Sequence, residues 1–243
     1  MRSFALTPTI DTRARVPHHI GIMMDGNGRW AQQRGLPRLE GHRHGTQNVR
    51  RALDACARAG IRVVTLYVFS TENWGRPKEE VEGFFEILGQ VIESETENFH
   101  AQGVRLIHSG SLDGIPADLA TRVRRAVELT RRNDRYVLNV AFNYGGRMEI
   151  LRAAQSILRA RIAPAALSEE LLGRYLYTAG LGDMDLVIRT GGEQRLSNFF
   201  PWQAARGVFY STLTLWPDFD ARELARALEF YAQALLGEGE RGA

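Results

Sequence analysis

The sequence predicts an α/β fold, one domain with a central parallel sheet flanked by helices. Five short apolar runs, at 20–24, 62–69, 104–108, 136–142 and 185–189, read as buried strands, and amphipathic stretches of helical period separate them. Strands that alternate with helices build a parallel sheet covered on both faces. Four of these strands run into a loop that carries Gly, Ser or Asn together with an Arg. The carboxyl edge of an open α/β sheet is where ligands bind, so the four loops mark a phosphate-handling cleft.

Residues 1–17 have no usable periodicity and read as a loose arm ending at Pro17. Ile20 to Met24 forms the opening strand, and Asp25-Gly26-Asn27-Gly28 the turn after it, since Gly and Asn tolerate positive φ. A helix is expected from Arg29. Gly41 to Gly60 reads as the next helix, with Val49, Leu53, Cys56 and Ala57 on one face. Arg62 to Phe69 is a second strand, followed by the polar loop Ser70 to Pro77. Pro77 then opens a long helix to about Gln102, with Val81, Phe84, Phe85, Leu88, Val91 and Ile92 as its apolar stripe. Val104 to His108, Tyr136 to Phe142 and Asp185 to Arg189 complete the strands. Helices are expected at 116–131, 147–161, 168–177 and 221–236, before a Gly/Glu tail at 237–243. The domain so defined covers 18–236.

With 243 residues, 44% hydrophobic and 24% charged, the chain has the balance of an ordinary globular domain. A net charge of +3 does not demand a nucleic-acid partner, and none is expected. The single Cys56 excludes an internal disulfide and reads as a small buried apolar residue. No signal-peptide core and no apolar run of 18 residues is present, so a cytoplasmic protein with at most peripheral membrane contact is expected.

The chemistry centres on 19–30. A strand that delivers a glycine-rich turn to a helix start makes an anion site, and Arg29 adds a planar donor fork. Asp25 beside such a cradle would hold Mg²⁺ between itself and phosphate oxygens. Gly-Asn-Gly alone is also a common turn, and no Gly-Lys-Ser/Thr follows to make it a Walker loop.

His19 to Trp30, Gly41-His42, Phe69 to Pro77, Asn139 to Arg147, Asp185 to Asn198 and Leu215 to Phe219 together resemble the cis-prenyltransferases, the family that includes undecaprenyl diphosphate synthase. The resemblance spans about 18–220. It implies a homodimer, a parallel sheet, and an apolar tunnel for an isoprenoid tail. Carried over residue by residue, Asp25 is the essential acid that works with Mg²⁺. Gly26, Asn27, Gly28 and Arg29, with Arg38, His42 and Arg76, hold an allylic diphosphate. Ser70, Asn73 and Trp74 shape the reacting centre. Arg189, Arg195 and Ser197 hold the diphosphate of isopentenyl diphosphate in a second subsite. His42 has an alternative role as an imidazole that caps the following helix.

Two departures from the family pattern stand out. Val208 occupies the position of a family Glu expected to complete the Mg²⁺ site with Asp25, and Val offers no ligand to a hard cation. The family's Arg-rich C-terminal motif is also not matched by Leu235 to Ala243. Three activities compete: chain elongation in cis with isopentenyl diphosphate, ionisation of an allylic diphosphate followed by water capture to a terpene alcohol, and a non-catalytic partner subunit. Both departures fall on the isopentenyl side, so the sequence reading favours water capture on a C15–C20 allylic substrate.

Overall fold

The computed structural model describes residues 16–241. Six parallel strands form one sheet in the order β3-β4-β2-β1-β5-β6: β1 His19–Met23, β2 Val63–Ser70, β3 Val104–Ser109, β4 Tyr136–Tyr144, β5 Leu186–Arg189 and β6 Val208–Ser211. Among the described residues seven α-helices accompany them: α1 Asn27–Gln32, α2 Arg38–Arg58, α3 Lys78–Ala101, α4 Ala117–Thr130, α5 Gly146–Arg159, α6 Glu169–Tyr175 and α7 Ala221–Arg241.

β1 lies at the centre, bonded to β2 on one side and β5 on the other. The chain therefore winds outward in both directions from β1, and the crevice beyond its carboxyl end is the topological switch point. Burial explains the apolar sequence of the strand. Ile20 and Ile22 are fully enclosed with Ala52, Ala55 and Cys56 of α2 and Leu224 and Ala227 of α7. Met23 joins Tyr144, Phe199 and Phe200 in a separate cluster. Enclosing an aliphatic side chain of this size contributes about 1.5–3 kcal/mol, which favours a strand made of such residues at the centre.

Several expectations shift. The first helix begins at Asn27, two residues before Arg29, because Gly26 takes φ 108° and starts the helix at once. The second begins at Arg38, which Pro37 directly precedes. α7 continues through Gly237 and Gly239 to Arg241, so 237–241 is helix where a tail was expected. The expected arm at 1–17 lies outside the described residues except for Val16 and Pro17. The sixth strand, Val208–Ser211, was not expected: four half-buried residues give too short a signal for period-two patterning.

Candidate active site

The carboxyl ends of β1, β2, β4 and β5 deliver their loops to one edge, as parallel pairing requires. β2 is bulged against β4 between Tyr67 and Ser70, which re-aims the end of that strand into the cleft. Glycines let the first loop close. Only glycine tolerates φ 108° at Gly26 without strain. At Gly41 a Cβ would stand 2.0 Å from the Asn27 carbonyl, so α2 packs directly on the start of α1.

Two cavities meet at this edge. One, of about 500 Å³, runs between α2, α3 and the sheet and is walled by Leu66, Phe84, Leu88, Ile92, Phe142 and neighbouring apolar side chains. The other, of about 770 Å³, is the more polar of the two and contains Asp25, Ser70, Glu72, Arg147, Arg189 and Ser197. Met24, Tyr67, Val68, Phe69, Asn73 and Arg76 line both, so the boundary between an apolar slot and a charged cleft falls on them, with Tyr67, Asn73 and Arg76 as its polar members.

Asp25 is 40% exposed. Arg189 Nη2 donates to its Oδ2 at 3.0 Å, and Arg29 Nη2 lies 3.9 Å from Oδ1. Arg189 is buried and also donates to Ser197 Oγ at 2.8 Å and to the Arg195 carbonyl. Arg189 thus joins β1 to the 195–197 loop, in addition to facing the cleft. Ser70 N–H donates to Asn73 Oδ1 at 3.0 Å, a local bond that shapes the turn between β2 and α3.

The other arginines converge on a residue the sequence reading passed over, Glu80 of α3. Arg76 Nη1 donates to its Oε1 at 3.2 Å, Arg38 Nε is 3.3 Å from Oε2, and His42 Nε2 is 3.8 Å from Oε1. Gly28 lies against the Arg38 guanidinium, where a Cβ would come within 2.8 Å of Cζ. Glu80 was legible only as an acid in the first turn of a helix. Burial, with the Arg76 guanidinium adding to it, lowers the His42 pKa to about 4. The imidazole is therefore neutral near pH 7 and adds a hydrogen-bonding group, not a charge. Its Nε2 has no hydrogen-bond partner, so helix capping does not account for that atom. Burial likewise raises the Cys56 thiol to about 12, as suits an inert core residue.

Glu80→Gln is expected to weaken the binding of inorganic pyrophosphate about tenfold, because it removes the charge that aligns Arg38 and Arg76. Titration calorimetry with pyrophosphate checks this, and an unchanged affinity would remove Glu80 from that role.

Not every expected residue reaches the cavities. The Arg195 side chain is 71% exposed and pairs with Glu193 at 3.1 Å, away from the cleft. Trp74 donates from Nε1 to Asn143 Oδ1 at 2.9 Å and packs edge-on against Phe69 and Phe85, so it lines neither cavity. Val208 departs furthest from expectation. It sits on the rung of Leu186 and Ile20, whereas Ser211 shares the rung of Arg189 and Met23. Three strand residues, about 10 Å, separate the two rungs, and Asp25 lies beyond the second. A carboxylate at 208 would not complete a metal site with Asp25 of the same protomer. Val208 packs against the apolar cluster of β1 and α7 instead.

The family described as putative undecaprenyl diphosphate synthase matches residues 23–235. An isoprenyl transferase of Heliobacterium mobile is 45% identical over 231 residues, 93% of this chain and 88% of that protein. An isoprenyl transferase of Leptospira interrogans is 43% identical over 223 residues, covering 90% and 92%. Among solved structures, lavandulyl diphosphate synthase from Lavandula x intermedia, in complex with dimethylallyl diphosphate, superposes with a TM-score of 0.85 at 31% identity, covering 89% of this chain and 95% of that one. A probable undecaprenyl diphosphate synthase from Campylobacter jejuni gives 0.76 at 30% identity, with the same coverages.

Proposed function

The chain belongs to the cis-prenyltransferase family, and on that premise we propose that it is an isoprenyl transferase that joins isopentenyl diphosphate to an allylic diphosphate. The observation that carries this reading is the junction of an apolar slot with a charged cleft at Tyr67, Asn73 and Arg76. A prenyl diphosphate has the same two-part character. Its hydrocarbon would enter the slot. Its diphosphate would lie on the start of α1 among Arg29, Arg38 and Arg76, whose guanidinium forks match phosphate oxygens.

Reaction breaks the allylic C–O bond, and diphosphate leaves with the electron pair. The isopentenyl double bond attacks the cation, a new C–C bond forms, and a proton is lost to the departing diphosphate or to Asp25. Fixed cations near the leaving oxygens stabilise the charge that develops there. Arg189 and Ser197 would hold the second diphosphate, which places the two reactants together and removes the entropy of their encounter.

The donor set fits Mg²⁺. That ion takes one or two carboxylates and completes its shell with water and phosphate oxygens. Asp25 offers a half-exposed carboxylate in the cleft, and the described residues contain no group of three or more His, Cys, Asp or Glu suited to an all-protein cage. Asp25 would hold the ion, which when bound supplies further neutralisation of diphosphate charge.

Elongation is favoured over water capture because the similar proteins of Heliobacterium mobile and Leptospira interrogans are transferases by name. A homodimer belongs to the same proposal. α5 leaves Met148, Leu151 and Leu158 exposed, an apolar stripe suited to a second copy. No helix among the described residues is long and apolar enough to cross a membrane.

The test is diphosphate release from an allylic diphosphate with isopentenyl diphosphate present or omitted. Release should depend on the second substrate. Equal release without it would favour water capture.

A further inference from the structure

We propose that Arg147 binds the diphosphate of isopentenyl diphosphate, an inference that rests on the transferase reading above. Three arginines line the polar cleft: Arg76, Arg147 and Arg189. Arg76 is bonded to Glu80 at 3.2 Å. Arg189 is bonded to Asp25 at 3.0 Å, to Ser197 at 2.8 Å and to the Arg195 carbonyl. Among the described residues, the Arg147 guanidinium has neither a carboxylate at ion-pair distance nor a hydrogen-bond partner. Its backbone N–H donates to Asn198 Oδ1 at 2.8 Å. The nearby acid of the cleft, Glu72, accepts from Asn198 Nδ2 at 2.9 Å.

The difference is chemical. An anion that enters the cleft must share Arg76 with Glu80 and Arg189 with Asp25. Arg147 offers its whole donor fork without displacing an internal partner, and that fork suits phosphate oxygens. It also stands in the cleft from which Arg195, the expected second cation of this subsite, is turned away.

The backbone holds Arg147 in place. It is the second residue of α5, and Gly146 N–H donates to the Asn198 carbonyl at 2.9 Å, so Asn198 pins the start of α5 with both its carbonyl and its side chain. The same loop carries Ser197. It places Ser197, Asn198 and Phe200 at φ 44°, 65° and 41°, a run of left-handed residues that persists only where packing dictates it. At Gly146 a Cβ would come within 2.1 Å of Pro201 Cδ, so the helix start and the loop meet with no room for a side chain. Arg147 and Ser197 are therefore carried on two segments fixed to each other.

The test uses the wild-type protein, Arg147→Ala and Arg147→Lys. Arg147→Ala should raise KM for isopentenyl diphosphate about tenfold or more, with KM for the allylic substrate changed by less than about twofold. Arg147→Lys should recover part of the loss, because it keeps the charge without the fork. Inorganic pyrophosphate binding is measured in parallel, with the first subsite filled by an unreactive allylic thiolodiphosphate. Arg147→Ala should weaken that binding by a similar factor. Unchanged pyrophosphate binding, or an equal rise in both KM values, would overturn the proposal. A wild-type protein that ignores isopentenyl diphosphate would refute the transferase reading instead, and the pyrophosphate measurement would still decide Arg147. Its side chain is exposed, so all three proteins should melt alike.

Discussion

Asp25→Ala is expected to lower turnover about a hundredfold or more and to leave the melting temperature nearly unchanged. The first part follows from position. Asp25 lies at the end of the central strand, in the cleft to which the proposed reaction assigns the departing diphosphate. It is the carboxylate to which both Arg189 and Arg29 are drawn. The second part follows from exposure. Asp25 is 40% open to solvent, so water can reach the end of Arg189 that it leaves. Arg189 keeps Ser197 and the Arg195 carbonyl after the change. Turnover and a thermal melt on the same preparation separate the two effects. Near-normal turnover would remove Asp25 from the chemistry.

Glu149→Ala should do the reverse and act through stability. Glu149 of α5 is 2% exposed and accepts from three groups: Tyr144 Oη at 2.6 Å, Tyr177 N–H at 2.8 Å and Gln203 Nε2 at 3.2 Å. These groups come from β4, the segment after α6, and the loop that precedes β6. Alanine would leave buried donors unpaired and open a cavity, together costing roughly 3 kcal/mol. For a chain of this size that lowers the melting temperature by about 6–12 °C. A loss under about 2 °C would show that water replaces the carboxylate.

Burial raises the Glu149 pKa, outweighing the donors around it. The fold therefore holds this proton more tightly than the unfolded chain does. The stability so gained is complete below the ordinary carboxyl range and is lost as pH rises through the elevated folded value. Glu149→Gln, which cannot titrate, should flatten that part of the stability–pH curve.

The fold was legible because its signals are strong. Buried parallel strands are continuous apolar runs, and helices such as α3 carry a full stripe from Val81 to Ile92. Loops that follow parallel strands must share one edge, so the meeting of Asp25, Ser70 and Arg189 in one cleft could be read in advance. Side-chain direction could not. Arg195 and Arg189 stand six residues apart in one loop motif, yet one turns to Glu193 and solvent while the other is buried against Asp25. Glu80 was hidden because a first-turn acid on a helix is ordinary. Val208 is placed by a motif in the sequence, whereas strand register sets it on the rung of Leu186 and Ile20.

The fate of the allylic carbon skeleton separates chain transfer from water capture. Mass analysis of products from an allylic diphosphate, isopentenyl diphosphate and Mg²⁺ reads this directly. A transferase gives diphosphate esters lengthened by whole isoprene units, with cis geometry in the added double bonds. A terpene alcohol with the carbon count of the starting material, and no lengthened ester, would contradict chain transfer.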